Sequence, residues 1–213
     1  MTTLLIAAHP DDIEFGIGAA LPYLTKRERV ICACLTDGAY TDLSGKDARN
    51  GDTAILETRQ ALSLLGVEDL FVGNFKTKEI PFNSESVRFI EKIIVENAVD
   101  TVFVQWHGDH HQDHQAAHKS VIAAARRVPN VYGYNCNLVA SANPFPFVPN
   151  RFLSVSVEDV AVQIEACQCH STEWEKYNAD GDLPSRIIAN LRHYGAVCGV
   201  KYAVPLIVYR EVL

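Results

Sequence analysis

Four short apolar runs, TLLIAA at 3–8, VICACLT at 30–36, LFV at 70–72 and TVFVQW at 101–106, recur along the first half of the chain without polar alternation. Runs of this kind, short and rich in β-branched residues, suit strands covered on both faces. Between them lie stretches of helical periodicity at about 13–27, at 53–65 ending at Gly66, and at 84–97. Strand and helix in alternation predict an α/β fold with a mostly parallel sheet and right-handed crossovers. HQAAHKSVIAAARR at 114–127 and SVEDVAVQIEACQCH at 156–170 predict two further helices, and AVPLIVYR at 203–210 a late strand.

A chain of 213 residues can bury a full core as one domain, 1–213. No apolar run reaches the roughly 20 residues that a membrane span needs. The N-terminus MTTLLIAAHPDD lacks the basic region and cleavage site of a secretory signal, so the expected location is cytoplasmic. The six cysteines are then expected to be reduced and mostly in the core. A formal net charge of −7 argues against nucleic acid as a partner, since that needs clustered Lys and Arg. The loops at 37–52, 74–83 and 140–150 are longer than connection requires, and binding residues favour such loops. NPFPFVPN at 143–150 could form a stiff apolar lip over a pocket, or equally an extended connection or a homo-oligomer contact.

The first run ends in an unusual turn, His9-Pro10-Asp11-Asp12, and the fourth leads into WHGDHHQDHQAAH, which holds five of the eight histidines. In a doubly wound sheet of order 3-2-1-4-5, the first and fourth strands are neighbours and their carboxyl ends flank the crevice where ligands bind. Both clusters would then meet there. Imidazole and carboxylate together suit a borderline cation such as zinc, whose catalytic sites use three protein ligands and leave one place for water. Adjacent aspartates diverge, so one could bind the ion and the other act as base on its water. Plainer roles stay open: Asp11 or Asp12 could cap the helix starting near Ile13, Asp113 the next helix, and the later histidines could share one polar helix face.

AHPDDIEFGIGAAL followed by DHHQDH at 109–114 resembles the PIG-L, or LmbE-like, deacetylases, zinc enzymes that remove N-acyl groups from amino sugars and their conjugates. Further likeness runs through LTDGAY, LSLLGV, EACQCHST and GVKYA. The resemblance implies a Rossmann-like three-layer fold with the site at the carboxyl ends of strands 1 and 4. It implies one Zn2+ held by His9, Asp12 and His114, with Asp11 as general base. His111 would stabilise the oxyanion or protonate the leaving amine, and Asp113 would orient a histidine. HGDH at 107–110 fits the second motif too; the small-residue helix that follows favours 111–114. Two departures bear on substrate: Ala54 stands where many relatives carry an arginine three residues before Glu57, and Tyr202-Ala203-Val204 replaces Y-A-E. Asp42, Arg49 and Arg192 are candidate sugar or phosphate contacts, though surface ion pairing is the commoner fate of such residues.

Three other classes remain open from sequence. A nucleotide-dependent oxidoreductase rests only on GIG at 16–18, with His-Pro-Asp-Asp occupying the turn that a dinucleotide would need. A non-catalytic sugar- or metal-binding protein on the same scaffold would keep the ligands without turnover. A metal-dependent phosphoesterase would need a second ion, for which His107, His110 and His118 are available.

Overall fold

The computed structural model describes residues 1–137 and 145–212. The first half of the chain holds β1 (Thr2–Ala7), α1 (Asp12–Ile17), a 3-10 turn (Gly18–Ala20), α2 (Leu21–Thr25), β2 (Arg29–Thr36), β3 (Tyr40–Thr41), β4 (Asp47–Arg49), α3 (Gly51–Leu64), β5 (Asp69–Phe75), α4 (Ser84–Glu96) and β6 (Thr101–Gln105). The second half holds α5 (Gln112–Ala124), β7 (Asn130–Tyr134), β8 (Arg151–Val155), α6 (Val157–Gln168), α7 (Ser171–Tyr177), α8 (Leu183–Cys198) and β9 (Tyr202–Arg210).

Seven strands form one sheet in the order β5-β2-β1-β6-β7-β9-β8. Strands β5, β2, β1, β6 and β7 run parallel, which is the expected 3-2-1-4-5 order, and β9 returns antiparallel between β7 and β8. Along β1, Leu5 and Ala7 face one side of the sheet with Cys32 and Cys34 of β2. Leu4, Ile6, Ile31, Ala33 and Leu35 face the other. Helices α1, α2, α3, α6 and α8 cover the first face, and α4 and α5 the second. This two-sided cover is why the strand sequences read as unbroken apolar runs. All six cysteines are free thiols, and Cys32, Cys34, Cys136 and Cys167 are buried. Among the described residues no helix is long and apolar enough to cross a membrane.

The expected helix at 13–27 is broken. α1 stops at Ile17, a 3-10 turn intervenes, and α2 restarts with Pro22 in its first turn, where the missing N–H breaks the intrahelical ladder. The glycines in this segment answer to packing. A Cβ at Gly16 would come 2.5 Å from the ring of Tyr134, and one at Gly18 would come 2.8 Å from Gln163 Cγ. The sequence pattern did not foresee β7, β8, the β3–β4 hairpin, α7 or α8. β7 is the residue run NVYGY, whose tyrosines and glycine give no apolar signal. Tyr134 is nevertheless fully buried there, its hydroxyl donating to Ile6 O at 2.8 Å. Of the proposed lip at 143–150, residues 143 and 144 lie outside the described residues. Phe147 packs on Trp106 and Tyr194, and none of 145–150 lines the main pocket.

Gly16→Ala is expected to lower unfolding free energy by about 1–3 kcal/mol, the usual cost of forcing a methyl group into a filled core. Urea denaturation followed by circular dichroism would read this as a lower midpoint with an unchanged slope.

Candidate metal centre and active site

The parallel pairing of β1 with β6, Leu5 opposite Phe103, delivers both unusual loops to the same end of the sheet. After β1 the chain turns through His9 and Pro10 into α1, and Asp11 takes the N-cap position with φ 117° and ψ −25°. This is left-handed backbone that a non-glycine residue adopts at a cost of order 1–3 kcal/mol. The Asp11 side chain makes no cap bond, so its carboxylate stays available. After β6 the chain reaches α5, whose cap is His111: its Nδ1 accepts the Asp113 N–H at 3.2 Å. Asp113 is therefore not the cap that the sequence allowed. It is the second residue of the helix, within its first turn, with its carboxylate free to reach across.

That carboxylate accepts from His9 Nε2 at 2.8 Å, and the backbone N–H groups of Lys78 and Ile80 hold it at 2.6 and 3.3 Å. The second imidazole is held in the same way, with His114 Nδ1 donating to Asp109 Oδ2 at 2.8 Å. Asp109 in turn accepts from the His111 N–H and from Asn137 Nδ2. A carboxylate only accepts, so each ring nitrogen bound to one carries a proton, and the other nitrogen of a neutral ring presents a lone pair. The two inner nitrogens, His9 Nδ1 and His114 Nε2, face each other at 3.3 Å. Asp12 completes the group. Its Oδ2 is occupied by Gln105 Nε2 at 2.7 Å and the His9 N–H at 2.8 Å, which leaves Oδ1, 3.2 Å from His114 Nε2.

Neighbouring ligand atoms around a tetrahedral ion with bonds of 2.0–2.1 Å lie about 3.3–3.4 Å apart. The distances of His114 Nε2 from His9 Nδ1, 3.3 Å, and from Asp12 Oδ1, 3.2 Å, lie close to that spacing, while His9 Nδ1 comes 3.7 Å from Asp12 Oδ2; Asp113 and Asp109 supply carboxylate backing of the kind that orients imidazoles around a metal. The donor set fits a divalent cation of the zinc class. Electrostatics agree. Burial resists charge on Asp12, but His114 and His9 outweigh it and hold the carboxyl well below its ordinary value. Burial likewise opposes a charged His114, yet Cys136, Asp12 and Asp109 raise its pKa well above the usual imidazole range. The site attracts positive charge.

Asp11 and His111 line the same pocket with opposite tendencies. Burial, against the pull of Arg49, pushes the Asp11 carboxyl up to about 7. Burial, together with repulsion from His9 and His114, pulls His111 down to about 4, which keeps this ring neutral at physiological pH. Because Nδ1 of His111 is the helix-cap acceptor, the proton of the neutral ring resides on Nε2, making it a fixed hydrogen-bond donor.

Other sequence candidates lie elsewhere. His107 bonds Tyr209 and does not line the pocket, whereas His111 and His114 do. His118 is tied to Gln105 O. The helix begins at Gln112, so His107 and His111 do not share its polar face. Asp42 organises the β3–β4 turn through Ser44 and Lys46, and Arg192 lies over Tyr202; neither lines the pocket. Arg49 does line it, but buried and beside Asp11. Asp109 and Gln105 were not singled out from sequence; the first lies in a motif that was quoted, and the second carried no local signal. Tyr40, Glu173 and Lys176 form a further wall, with Glu173 accepting from Tyr40 Oη at 2.9 Å and Lys176 Nζ at 2.8 Å.

The model of the GlcNAc-PI de-N-acetylase family, PIG-L, matches residues 4–125, which include both clusters. The chain belongs to the PIG-L family. The uncharacterised deacetylase YaiS of Escherichia coli K12 is 28% identical over 175 residues, covering 79% of this chain and 90% of that protein. The N,N'-diacetylchitobiose deacetylase of Pyrococcus horikoshii shares the fold at a TM-score of 0.79 and 21% identity, covering 97% of this chain and 83% of its own. GalB, the 4-carboxy-2-hydroxymuconate hydratase of Pseudomonas putida KT2440, shares it at 0.77 and 16% identity, covering 100% and 97%. The PIG-L fold thus supports more than one reaction, and the chemistry must be argued from side chains.

Asp113→Asn and Asp109→Asn are each expected to weaken divalent-metal affinity about 10–100-fold, the usual effect of losing a group that orients a metal-bound imidazole. Competition with a chromophoric chelator would measure this, with circular dichroism unchanged.

Proposed function

We propose that this PIG-L protein is a metal-dependent amide hydrolase that removes an N-acetyl or other N-acyl group from an amino sugar or sugar conjugate, with Zn2+ as its ion. The observation that carries the reading is the pair of opposed imidazole nitrogens beside Asp12, set in one pocket with a second carboxylate and a neutral imidazole. The family description, a de-N-acetylase of N-acetylglucosaminyl phosphatidylinositol, supports the choice of acyl amino sugar.

His9, Asp12 and His114 would hold the cation. When bound, the ion supplies an acidified water and a Lewis-acid contact for the acyl carbonyl. Asp11 takes a proton from the attacking water as its oxygen bonds to the carbonyl carbon. A carboxyl pushed toward neutrality is poised for this, since general bases work best with a pKa near the working pH. The Nε2–H of His111 donates to the charge that develops on the carbonyl oxygen. The C–N bond then breaks, and the proton held by Asp11 passes to the leaving nitrogen, giving a free amine and a carboxylic acid. Asp113 keeps His9 in the tautomer that faces the ion. Tyr40, Tyr177 and Phe15 offer apolar faces to a sugar ring, and Asn137, Glu173 and Lys176 offer partners to its hydroxyls. The six free thiols support a cytoplasmic setting.

The test is acetate and amine release from a panel of N-acetylglucosamine conjugates, with and without chelator. Release that stops on chelation and returns with Zn2+ is the expected result. Metal retention without any amide cleavage would instead favour another water-activating reaction on this fold. Asp11→Asn should keep its metal and lose about 10²–10⁴-fold in turnover, the usual share of a general base. His114→Ala should lose both. The base must be ionised, so kcat/KM should fall as pH drops through the Asp11 pKa, at or below about 7 because a bound dication favours the carboxylate. That acid limb should be absent from the residual activity of Asp11→Asn.

A further inference from the structure

Behind Asp11 lies a buried set of charged groups, Arg49, Glu57, Glu173, Glu14 and His170, of which only Glu173 has a part in the reading above. Arg49 is its centre. It stands at the end of β4, and its side chain is 3% exposed. Nη1 forks between Pro10 O at 3.0 Å and Asp11 Oδ2 at 3.5 Å, so one group touches both the strained turn and the carboxylate beyond it. Nη2 lies 3.4 Å from His170 Nδ1 and 3.7 Å from Glu57 Oε2, and Nη1 lies 4.0 Å from Glu173 Oε1. Glu57 is fixed by the backbone N–H and hydroxyl of Ser171 at 3.1 and 2.5 Å. Three elements, α3, α7 and the segment before α7, therefore aim one guanidinium at one turn.

We propose that Arg49 is a positioning residue for Asp11, a role that rests on the hydrolase reading above. Asp11 makes no cap bond, and among the described residues the hydrogen-bond donor its carboxylate meets is Arg49. A carboxylate free to rotate would sweep away from the water it must deprotonate, and displacement of about 1 Å can cost on the order of 10²-fold in rate. Stability does not account for the arrangement, because buried ion-pair arrays are commonly no better than apolar packing of the same volume. A direct grip on substrate, the role the sequence suggested, fits less well, because both terminal nitrogens already face protein acceptors.

The experiment compares Arg49→Ala and Arg49→Lys with the wild-type holoenzyme for kcat, KM, Zn2+ affinity and rescue by added guanidinium. The expected result for Arg49→Ala is a kcat lower by about 10²-fold, with KM and Zn2+ affinity within about 3-fold and partial recovery of kcat in guanidinium. Arg49→Lys keeps the charge but cannot fork, so its kcat should also fall; this variant decides the matter if Arg49→Ala does not fold. Full kcat in Arg49→Lys, or a raised KM with kcat kept in either variant, overturns the proposal. A wild-type protein that releases no amine from any conjugate overturns the hydrolase reading itself, a different outcome from active wild type with unimpaired variants.

Discussion

Two imidazole nitrogens 3.3 Å apart, each with its outer nitrogen committed to a carboxylate, form the constraint to which the rest of the site answers. Two neutral rings cannot hydrogen-bond through opposed lone pairs, and a proton or a cation must lie between them. The surrounding carboxylates favour positive charge there, and the distances of His114 Nε2 from Asp12 Oδ1 and His9 Nδ1, 3.2 and 3.3 Å, suit a metal ion. The outer carboxylates are not incidental. Asp113 is held by two backbone N–H groups from the loop after β5, and Asp109 by the N–H of His111 and Asn137, so the loops after β5, β6 and β7 fix two ring orientations.

The same economy of groups governs His111. One ring nitrogen caps α5, which settles the tautomer, and neighbouring imidazoles together with burial keep the ring neutral. A capping interaction that elsewhere would only stabilise a helix end here decides which atom can donate into the pocket. Asp11 shows the opposite strategy. It occupies a capping position without capping, in strained backbone, and the strain is offset by Phe15 N–H on its carbonyl and by Arg49 on the preceding one. Strain kept at such a site is the mark of geometry held for chemistry.

Much of this was legible in the chain itself. Unbroken apolar runs suit a sheet covered on both faces, and alternation with helices implies parallel strands; the meeting of His9 with His114 then depended on a 3-2-1-4-5 order, which the sheet has. Local patterns were poorer guides where partners are distant. Gly16 and Gly18 read as ordinary helix positions, but Tyr134 and Gln163 lie against them, and the helix breaks. Arg49 read as a surface charge or a substrate contact because nothing in the sequence links it to Glu57, Glu173 and His170, which arrive from other parts of the chain.

Hydrophobic period and strand connection are properties of the chain read in order, so the layer architecture, the candidate ligand types and the end of the sheet where they gather are written in the amino-acid order. Which oxygen of Asp12 is free, which nitrogen of each histidine carries its proton, and what stands behind Asp11 emerge only in the folded chain. Those depend on hydrogen bonds between residues as far apart as 121 positions, and such pairings exist only once the sheet has brought them together.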